Sequence, residues 1–275
     1  MNKAAWLHDI GKIVSPEHII DKGVKLETIH DRFETVETRF EIFKKDIEIE
    51  YLKNCHNEKD QNNIDTLTKK FQNEIIQLED DLQFIKTSNT GGEFMENENI
   101  ERIEEIAKRK VAVNGKILAL LTENEVYNLS IKKGTLTEEE RFIINNHVAI
   151  SYDMLKELPF PKTMKRIPVI AGSHHKKVKG GGYAAEEILD LPMTIEDKIL
   201  AVADVFEALT ANDRPYKKAN SLNTSLRILS FMVKDGDLDK DLVKFFVKSN
   251  LHLKYADKYL KKDQMDEITV DFDSL

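Results

Sequence analysis

The sequence lacks the features that define several classes of protein. Cysteine occurs once, as Cys55, which excludes an internal disulfide and fits a protein of the reducing cytosol. No apolar run approaches the length of a membrane-spanning helix, and the first residues lack the basic, apolar and small-residue segments of a signal peptide. Basic residues are not in excess, since the sequence has 41 lysines and arginines and 49 acidic residues, which gives a net charge of −8. Such a surface repels nucleic-acid polymers, so we expect neither DNA or RNA binding nor membrane insertion.

What is present indicates a helical protein that buries a sizeable core. Of the 275 residues, 41% are hydrophobic and 33% are charged. The apolar residues recur mainly three and four positions apart, so an all-α fold is predicted. The length favours one helical core with an appendage.

The predicted appendage covers residues 25–86, where a narrow apolar seam runs along otherwise polar helices. The polar segment 54–63 interrupts the seam, so we predict an antiparallel helical hairpin that resembles a short coiled coil. Three uses of the seam remain open: packing on itself, pairing with a second copy of the chain, or contact with an upstream sensor domain.

Local signals place further helices along the chain. Thr137 with Glu140 has the spacing of a capping box, and Thr194 is predicted to cap a helix with Asp197 at its third position. Helical patterns are also predicted over 98–110 and 116–121, with a break at Asn114-Gly115. The last residues, 263–275, are predicted to be an acidic, frayed tail.

Histidines and aspartates are the candidate metal ligands. An apolar helical run ends in a His-Asp pair, and a histidine doublet closes a later helix. An aspartate lies among apolar residues of another helix, where a carboxylate needs a partner or a metal. The candidates are His8, Asp9, His147, His174, His175 and Asp204. Nitrogen and oxygen donors without a thiolate suit Fe or Mn better than a closed structural zinc site, which points to a metallohydrolase.

Each candidate also has a simpler explanation. The His-Asp dipeptide can be a polar helix end with a local cap, and His147 alone on the border of an apolar face can be a core histidine. Of His174 and His175, which cannot share one helical face, one could be a surface residue. The glycine-rich loop 177–184 can be an ordinary turn.

Three segments in order resemble the HD-GYP family of cyclic dinucleotide phosphodiesterases: HDIGK, SHHKKVKGGGYA and ADVFEALTANDRPYKK. The resemblance implies an HD-type helical bundle formed by residues 1–24 and 87–262, with the hairpin of 25–86 inserted into it. It also supports His147 as a ligand, because the family has a metal histidine at this place.

The resemblance implies a function as well. Two or three divalent ions, Fe or Mn, would activate water to open cyclic di-GMP, or a related cyclic dinucleotide, to the linear dinucleotide, and further hydrolysis to GMP is left open. Asp9 and Lys12 would be catalytic. Substrate would be bound by Lys12, Tyr183, Arg214 and Lys217, of which Tyr183 offers a ring for base stacking and the cations face phosphate.

The sequence departs from the family pattern at several places. Lys176 and Lys179 occupy positions where the family usually has Glu and Asp, and the GYP signature ends in Ala184 and is followed by Ala185. In the family a helix with a further metal histidine precedes the HD pair, and His8 lies near residue 1. We therefore expect a fragment of a longer protein or a truncated one with an incomplete cluster.

Two other functions fit the same residues. One is a degenerate module that senses a cyclic dinucleotide or docks a partner through the hairpin. The other is a different HD phosphohydrolase that acts on nucleotides, which Tyr183 and the RPYKK segment disfavour. Stoichiometric metal would count against a purely docking module.

Overall fold

The computed structural model describes residues 1–91, 94–212 and 219–272. These residues are mainly helical with one small sheet, which confirms the all-α prediction. The chain divides into two compact units, one formed by residues 1–20 and 141–275 and the other by residues 21–140. Among the described residues, no helix is long and apolar enough to span a bilayer.

The helices are α1 (Asn2–Leu7), α2 (Glu17–Ile20), α3 (Phe33–Asn57), α4 (Gln61–Asn89), α5 (Asn97–Ala107), α6 (Glu123–Leu129), α7 (Glu138–Asn145), α8 (His147–Lys156), α9 (Ile167–Ser173), α10 (Ile195–Thr210), α11 (Leu222–Lys234), α12 (Lys240–Lys248) and α13 (Leu251–Tyr259). Short 3-10 helices cover Ile10–Val14, Lys162–Met164, Glu186–Ile188 and Lys262–Gln264. The strands are β1 (Lys110–Val113) and β2 (Lys116–Ala119).

The unit of residues 21–140 contains the predicted helical hairpin, formed by α3 and α4. The Asp60 side chain caps α4 by accepting a hydrogen bond from the Asn62 amide at 2.8 Å. The apolar seam of the hairpin, including Phe40 and Leu78, shares one core with Ile103 of α5 and with residues of β1 and α6. The unit is therefore wider than the predicted arm of 25–86, because the seam packs against the chain that follows it.

The prediction of a helix over 116–121 is wrong, because residues 110–119 form an antiparallel β-hairpin. Val113 pairs with Lys116 across the turn, and Val111 pairs with Leu118. Both turn residues have positive φ, 51° at Asn114 and 74° at Gly115. Asn-Gly accepts this conformation readily and favours the two-residue turn that joins twisted strands.

Lys25 gives the unit of residues 21–140 a pH-dependent stability. Its side chain is buried, its ammonium donates to the Leu129 carbonyl at 2.8 Å, and burial lowers its pKa from 10.5 to about 8. Between these two pH values the unfolded chain keeps a proton that the folded chain has lost. The free energy of unfolding therefore rises with pH between about 8 and 10.5, by about 3 kcal/mol at most.

We expect Lys25→Met to remove this rise, because methionine fills a similar volume without titrating. Urea unfolding of the two proteins at several pH values from 7.5 to 10.5 measures the difference. We expect the difference in free energy of unfolding between the two proteins to change between pH 8 and pH 10.5 and to be constant below pH 8. Parallel curves throughout would contradict the shifted pKa.

The unit of residues 1–20 and 141–275 has two apolar clusters, and α10 contributes to both. Leu200 packs with Ala4 of α1, Leu155 of α8 and residues of α9. Phe206 packs instead with residues of α11, α12 and α13. The predicted capping box of α10 is present, with the amide and hydroxyl of Thr194 donating to Asp197. The helix α10 is therefore packed against both apolar clusters. This packing fixes the position of side chains in the middle of the helix.

The predicted fraying of the C-terminal residues is wrong over 263–272. Phe272 is buried in the same apolar cluster as Phe206, and Ile268 and Val270 pack against this cluster. The buried Gln264 side chain donates to the carbonyls of Thr210 and Asn220. Alternating apolar residues and one satisfied amide hold this segment against the helices.

Candidate metal centre

The structure brings together all of the predicted metal ligands, which lie far apart in the sequence. They come from the end of α1, the start of α8, the end of α9 and the middle of α10, within the unit of residues 1–20 and 141–275. The residues are His8, Asp9, His147, His174, His175 and Asp204. Within each of two groups the donor atoms lie within 4.8 Å of one another: one group is His147, His174 and His175, and the other is His8, Asp9 and His174. Asp204 lies outside both groups but contacts the second, with its Oδ1 atom 3.4 Å from His8 Nε2.

A change of helix type lets the His-Asp pair face one site. The helix α1 ends at Leu7, His8 follows as its C-cap, and Asp9 precedes the 3-10 helix Ile10–Val14 with φ −99° and ψ 10°. Neighbouring residues of a regular helix point about 100° apart. The break at Asp9 removes this restriction, so both side chains reach the cluster.

Gly11 lets this turn lie directly against α8. Its amide donates to the buried Ser151 hydroxyl at 2.9 Å. A Cβ on Gly11 would lie 2.1 Å from the His147 carbonyl oxygen, so only glycine allows this approach. Sequence reasoning did not single out Gly11 or Ser151, although Gly11 belongs to the HDIGK segment.

Three of the histidines are oriented by the same local contact. The Nδ1 atoms of His8, His147 and His174 lie 2.7, 2.5 and 2.6 Å from the backbone carbonyl three residues earlier. A carbonyl can only accept, so Nδ1 carries the proton in each ring. In a neutral ring this leaves the lone pair on Nε2, which is the arrangement found in histidines that bind metals.

The Nε2 atoms converge on the two aspartates. Asp9 Oδ1 lies 3.1 Å from His147 Nε2 and 3.8 Å from His174 Nε2. His8 Nε2 lies 3.3 Å from Asp9 Oδ2 and 3.4 Å from Asp204 Oδ1. These distances are short, yet the Nε2 atoms of all three histidines and Asp9 Oδ1 are buried without a well-directed hydrogen bond. Buried polar atoms without such a bond are costly, and a shared cation would satisfy them.

Burial and neighbouring charges set the protonation of the cluster. Burial lowers the pKa of His174 to about 3 and that of His175 to about 4, so both rings are neutral donors. Burial also opposes charge on His8, but contacts with Asp204 and Asp9 outweigh it and raise the pKa of His8 to about 10, so a metal ion would displace the Nε2 proton of this ring on binding. Although burial acts against it, His147, His8 and Lys12 hold the pKa of Asp9 well below its usual range. The cluster is thus anionic at its aspartates, which favours a cation.

Asp204 lies half-buried on α10 opposite the His-Asp turn. Burial would raise its pKa, but His8, His174 and His175 lower it, so the carboxylate is ionised. The donor set of imidazole nitrogens and carboxylate oxygens can hold a divalent metal ion. The two overlapping groups that share His174 are compatible with more than one ion.

The predicted substrate residues are only partly within the described chain. Lys12 Nζ lies 2.7 Å from Asp9 Oδ2, at the edge of the cluster. The Tyr183 ring lies 4.6 Å from the His175 ring, with 32° between their planes. Burial first, and then the charges of Asp204 and Asp9, raise the pKa of Tyr183 to about 12, so it stays a phenol. Arg214 and Lys217 lie outside the described residues.

The lysines that replace the family's acidic residues make contacts elsewhere. Lys176 Nζ donates to three backbone carbonyls, those of Ile188, Leu189 and Leu191. Lys179 Nζ lies 2.9 Å from Asp237 Oδ1. Both ammonium groups therefore have anionic or carbonyl partners of their own.

Comparison with known proteins agrees with this site. A family model described as HD domain matches residues 119–242. The 3′3′-cGAMP-specific phosphodiesterase 1 of Vibrio cholerae is 34% identical over 122 residues, which cover 43% of this chain and 26% of that protein. The cyclic di-GMP phosphodiesterase response regulator RpfG of Xanthomonas campestris pv. campestris is 34% identical over 99 residues, which cover 36% of this chain and 25% of that protein.

The cyclic di-GMP phosphodiesterase of Thermotoga maritima is 30% identical over 137 residues, which cover 50% of this chain and 35% of that protein. The matches thus span from a quarter to about a third of the length of these relatives. All three are named as phosphodiesterases of cyclic di-GMP or 3′3′-cGAMP, and the HD-domain match includes His147, His174, His175 and Asp204. The chain is therefore similar to HD-domain proteins over residues 119–242, in agreement with its resemblance to the HD-GYP family.

Proposed function

We propose that this chain hydrolyses a phosphodiester bond of a cyclic dinucleotide, with cyclic di-GMP as the substrate and the linear dinucleotide as the first product. The observation that carries the proposal is the set of buried Nε2 and Oδ1 atoms of His8, Asp9, His147 and His174 that face one another without directed hydrogen bonds. Its relatives include proteins named as phosphodiesterases of cyclic di-GMP and of 3′3′-cGAMP, which supports the substrate class.

The proposed ligands are His8, Asp9, His147, His174, His175 and Asp204, which would hold two or three divalent ions, Fe or Mn. When bound, such ions supply an activated water and neutralise charge on phosphoryl oxygens. The protein orients its donors through the carbonyl contacts of the Nδ1 atoms. A hydrogen bond from Nδ1 to a carbonyl fixes the orientation and the tautomer of the imidazole ring before a metal ion binds at Nε2.

Lys12 and Tyr183 have distinct roles in the proposal. Lys12 is half-buried and held at Asp9, so its ammonium remains at the edge of the cluster, where it stabilises charge that develops on the phosphoryl group. The Tyr183 ring offers a face on which a base can stack. Arg214 and Lys217 are proposed as further phosphate contacts because of their charge and their place after α10.

The experiment is a hydrolysis assay with chain that has been reconstituted with Mn²⁺ or with Fe²⁺ under anaerobic conditions. Cyclic di-GMP and 3′3′-cGAMP are supplied separately, and products are separated by chromatography. We expect linear dinucleotide from cyclic di-GMP, none from Asp204→Asn, and unchanged turnover in Asp190→Asn, whose side chain is exposed. A metal-loaded protein that binds the dinucleotide without opening it would contradict the proposal.

One observation favours a second function, a module that binds a cyclic dinucleotide without hydrolysing it. Lys176 and Lys179 replace acidic residues of the family pattern and are committed to other partners, so the site has fewer anionic donors than that pattern. In the same assay this module would bind cyclic di-GMP and form no product. Stoichiometric metal with no turnover would distinguish it from a module that only docks a protein.

A further inference from the structure

The glycine-rich loop that precedes Tyr183 is fastened to the turn between α11 and α12. The Val178 amide donates to the Asp237 carbonyl at 3.2 Å, and the Lys179 amide donates to the Gly236 carbonyl at 2.8 Å. These are backbone contacts between segments almost 60 residues apart in the sequence. The exposed loop of 177–182 is thus attached along one side to another element of its unit.

Asp237 adds two ion pairs to this attachment. Its Oδ2 atom lies 2.8 Å from Lys177 Nζ and its Oδ1 atom lies 2.9 Å from Lys179 Nζ. Lys179 Nζ also donates to the Asp235 carbonyl at 2.7 Å. The Asp237 side chain is 14% exposed, whereas the lysine side chains are 41% and 50% exposed. One largely buried carboxylate therefore pairs with two more exposed ammonium groups.

The turn that carries Asp237 is itself fixed to α10. Leu238 is buried in the cluster that includes Val202 and Phe206 of α10. Asp239 caps α12 by accepting from the Leu242 amide at 3.1 Å, and it also accepts from Lys198 Nζ of α10 at 2.9 Å. The loop and the helix that carries Asp204 are consequently held by the same short turn.

The opposite end of the loop connects this attachment to the candidate site. Gly182 forms a β-bridge with Lys176, and the Tyr183 amide donates to the His175 carbonyl at 3.4 Å. A Cβ on Gly182 would lie 2.2 Å from the same carbonyl, so glycine is needed for this close approach. The Tyr183 ring lies against the His175 ring only while the loop keeps this path.

We infer that Asp237 is a positioning residue, which through Lys177 and Lys179 holds the glycine-rich loop so that Tyr183 stays beside the metal cluster. The inference rests on the proposed function in one respect, the use of Tyr183 in binding the dinucleotide. The attachment of the loop is independent of that function. Loss of Asp237 should therefore loosen the loop and weaken substrate binding without removing the ligands of the site.

The test compares Asp237→Asn with Asp235→Asn, a control that removes one charge from the same turn and leaves the backbone carbonyl to Lys179. Hydrogen exchange is measured at the Val178 and Lys179 amides in the full chain. We expect exchange about three- to tenfold faster in Asp237→Asn, as the loss of about 1 kcal/mol implies, and unchanged exchange in the control. The double variant Lys177→Gln/Lys179→Gln should behave like Asp237→Asn.

Kinetics with cyclic di-GMP then separate positioning from a general loss of structure. We expect KM to rise about three- to tenfold in Asp237→Asn, with kcat within about twofold and with unchanged metal content. Unchanged loop exchange in both loop variants would overturn the inference, and so would faster exchange with an unchanged KM. If the wild-type chain does not hydrolyse the dinucleotide, the proposed function fails, while the exchange data still decide whether Asp237 holds the loop.

Discussion

Asp9→Asn is expected to abolish stoichiometric metal binding and to lower kcat about a thousandfold or more. Asp9 lies between its neighbours, with Oδ1 facing His147 and His174 and Oδ2 facing His8 and Lys12. Asparagine keeps the shape but replaces one anionic oxygen with an amide that donates. Removing one member of a site whose groups act together costs nearly as much as removing the set.

Elemental analysis of the purified protein and turnover of cyclic di-GMP measure the two effects. The matched control is Asp153→Asn on α8, because the Asp153 side chain is 61% exposed and pairs only with Lys156 among the ion pairs of the described chain. It should keep both metal and turnover. An Asp9→Asn protein with a full metal complement would place the metal elsewhere and defeat the assignment of this cluster.

Gly11→Ala is expected to destabilise the unit of residues 1–20 and 141–275 by about 3 kcal/mol and to reduce metal binding. The added Cβ would lie 2.1 Å from the His147 carbonyl oxygen and 2.7 Å from the Ser151 amide nitrogen. Neither backbone atom can yield like the end of a flexible side chain. The turn must therefore move away from α8, which carries Asp9 away from His147.

Ser151→Ala separates this packing effect from the hydrogen bond between the same elements. It removes the acceptor of the Gly11 amide without adding volume, so we expect a loss of about 1 kcal/mol and unchanged metal content. Thermal unfolding and elemental analysis of both variants provide the comparison. Equal effects of the two substitutions would show that the close approach at Gly11 is unimportant for the site.

Local chemistry explains which features of the fold could be predicted. The capping boxes at Thr137 and Thr194 depend on residues three positions apart, and both are present. The α3–α4 hairpin follows from a seam with a polar break. In place of the helix predicted over 116–121 there is a strand of four residues, which is too short for its period to be distinguished from that of a helix, although Asn114-Gly115 is a turn signal.

The site was predictable as a set of residues but not as a geometry. The ligand candidates followed from residue type and from the resemblance of three segments to a known family. In the structure five of them form two groups that share His174, and Asp204 lies beside His8. No sequence signal predicted three of the contacts: that of Gly11 with α8, that of Lys176 with backbone carbonyls, and that of Asp237 with the lysines of the loop. Nothing in the spacing of these residues indicates that they meet.

By itself, the sequence determined the helical class, the helix caps and the chemical types of the candidate ligands, because each depends on neighbours within one or two turns. Only the tertiary structure decided that the Nε2 atoms of His8, His147 and His174 face Asp9, and that Asp237 reaches Lys177 and Lys179. Contacts of this kind are made when helices pack. They depend on which buried faces fit together, a property of the whole unit and not of any one segment.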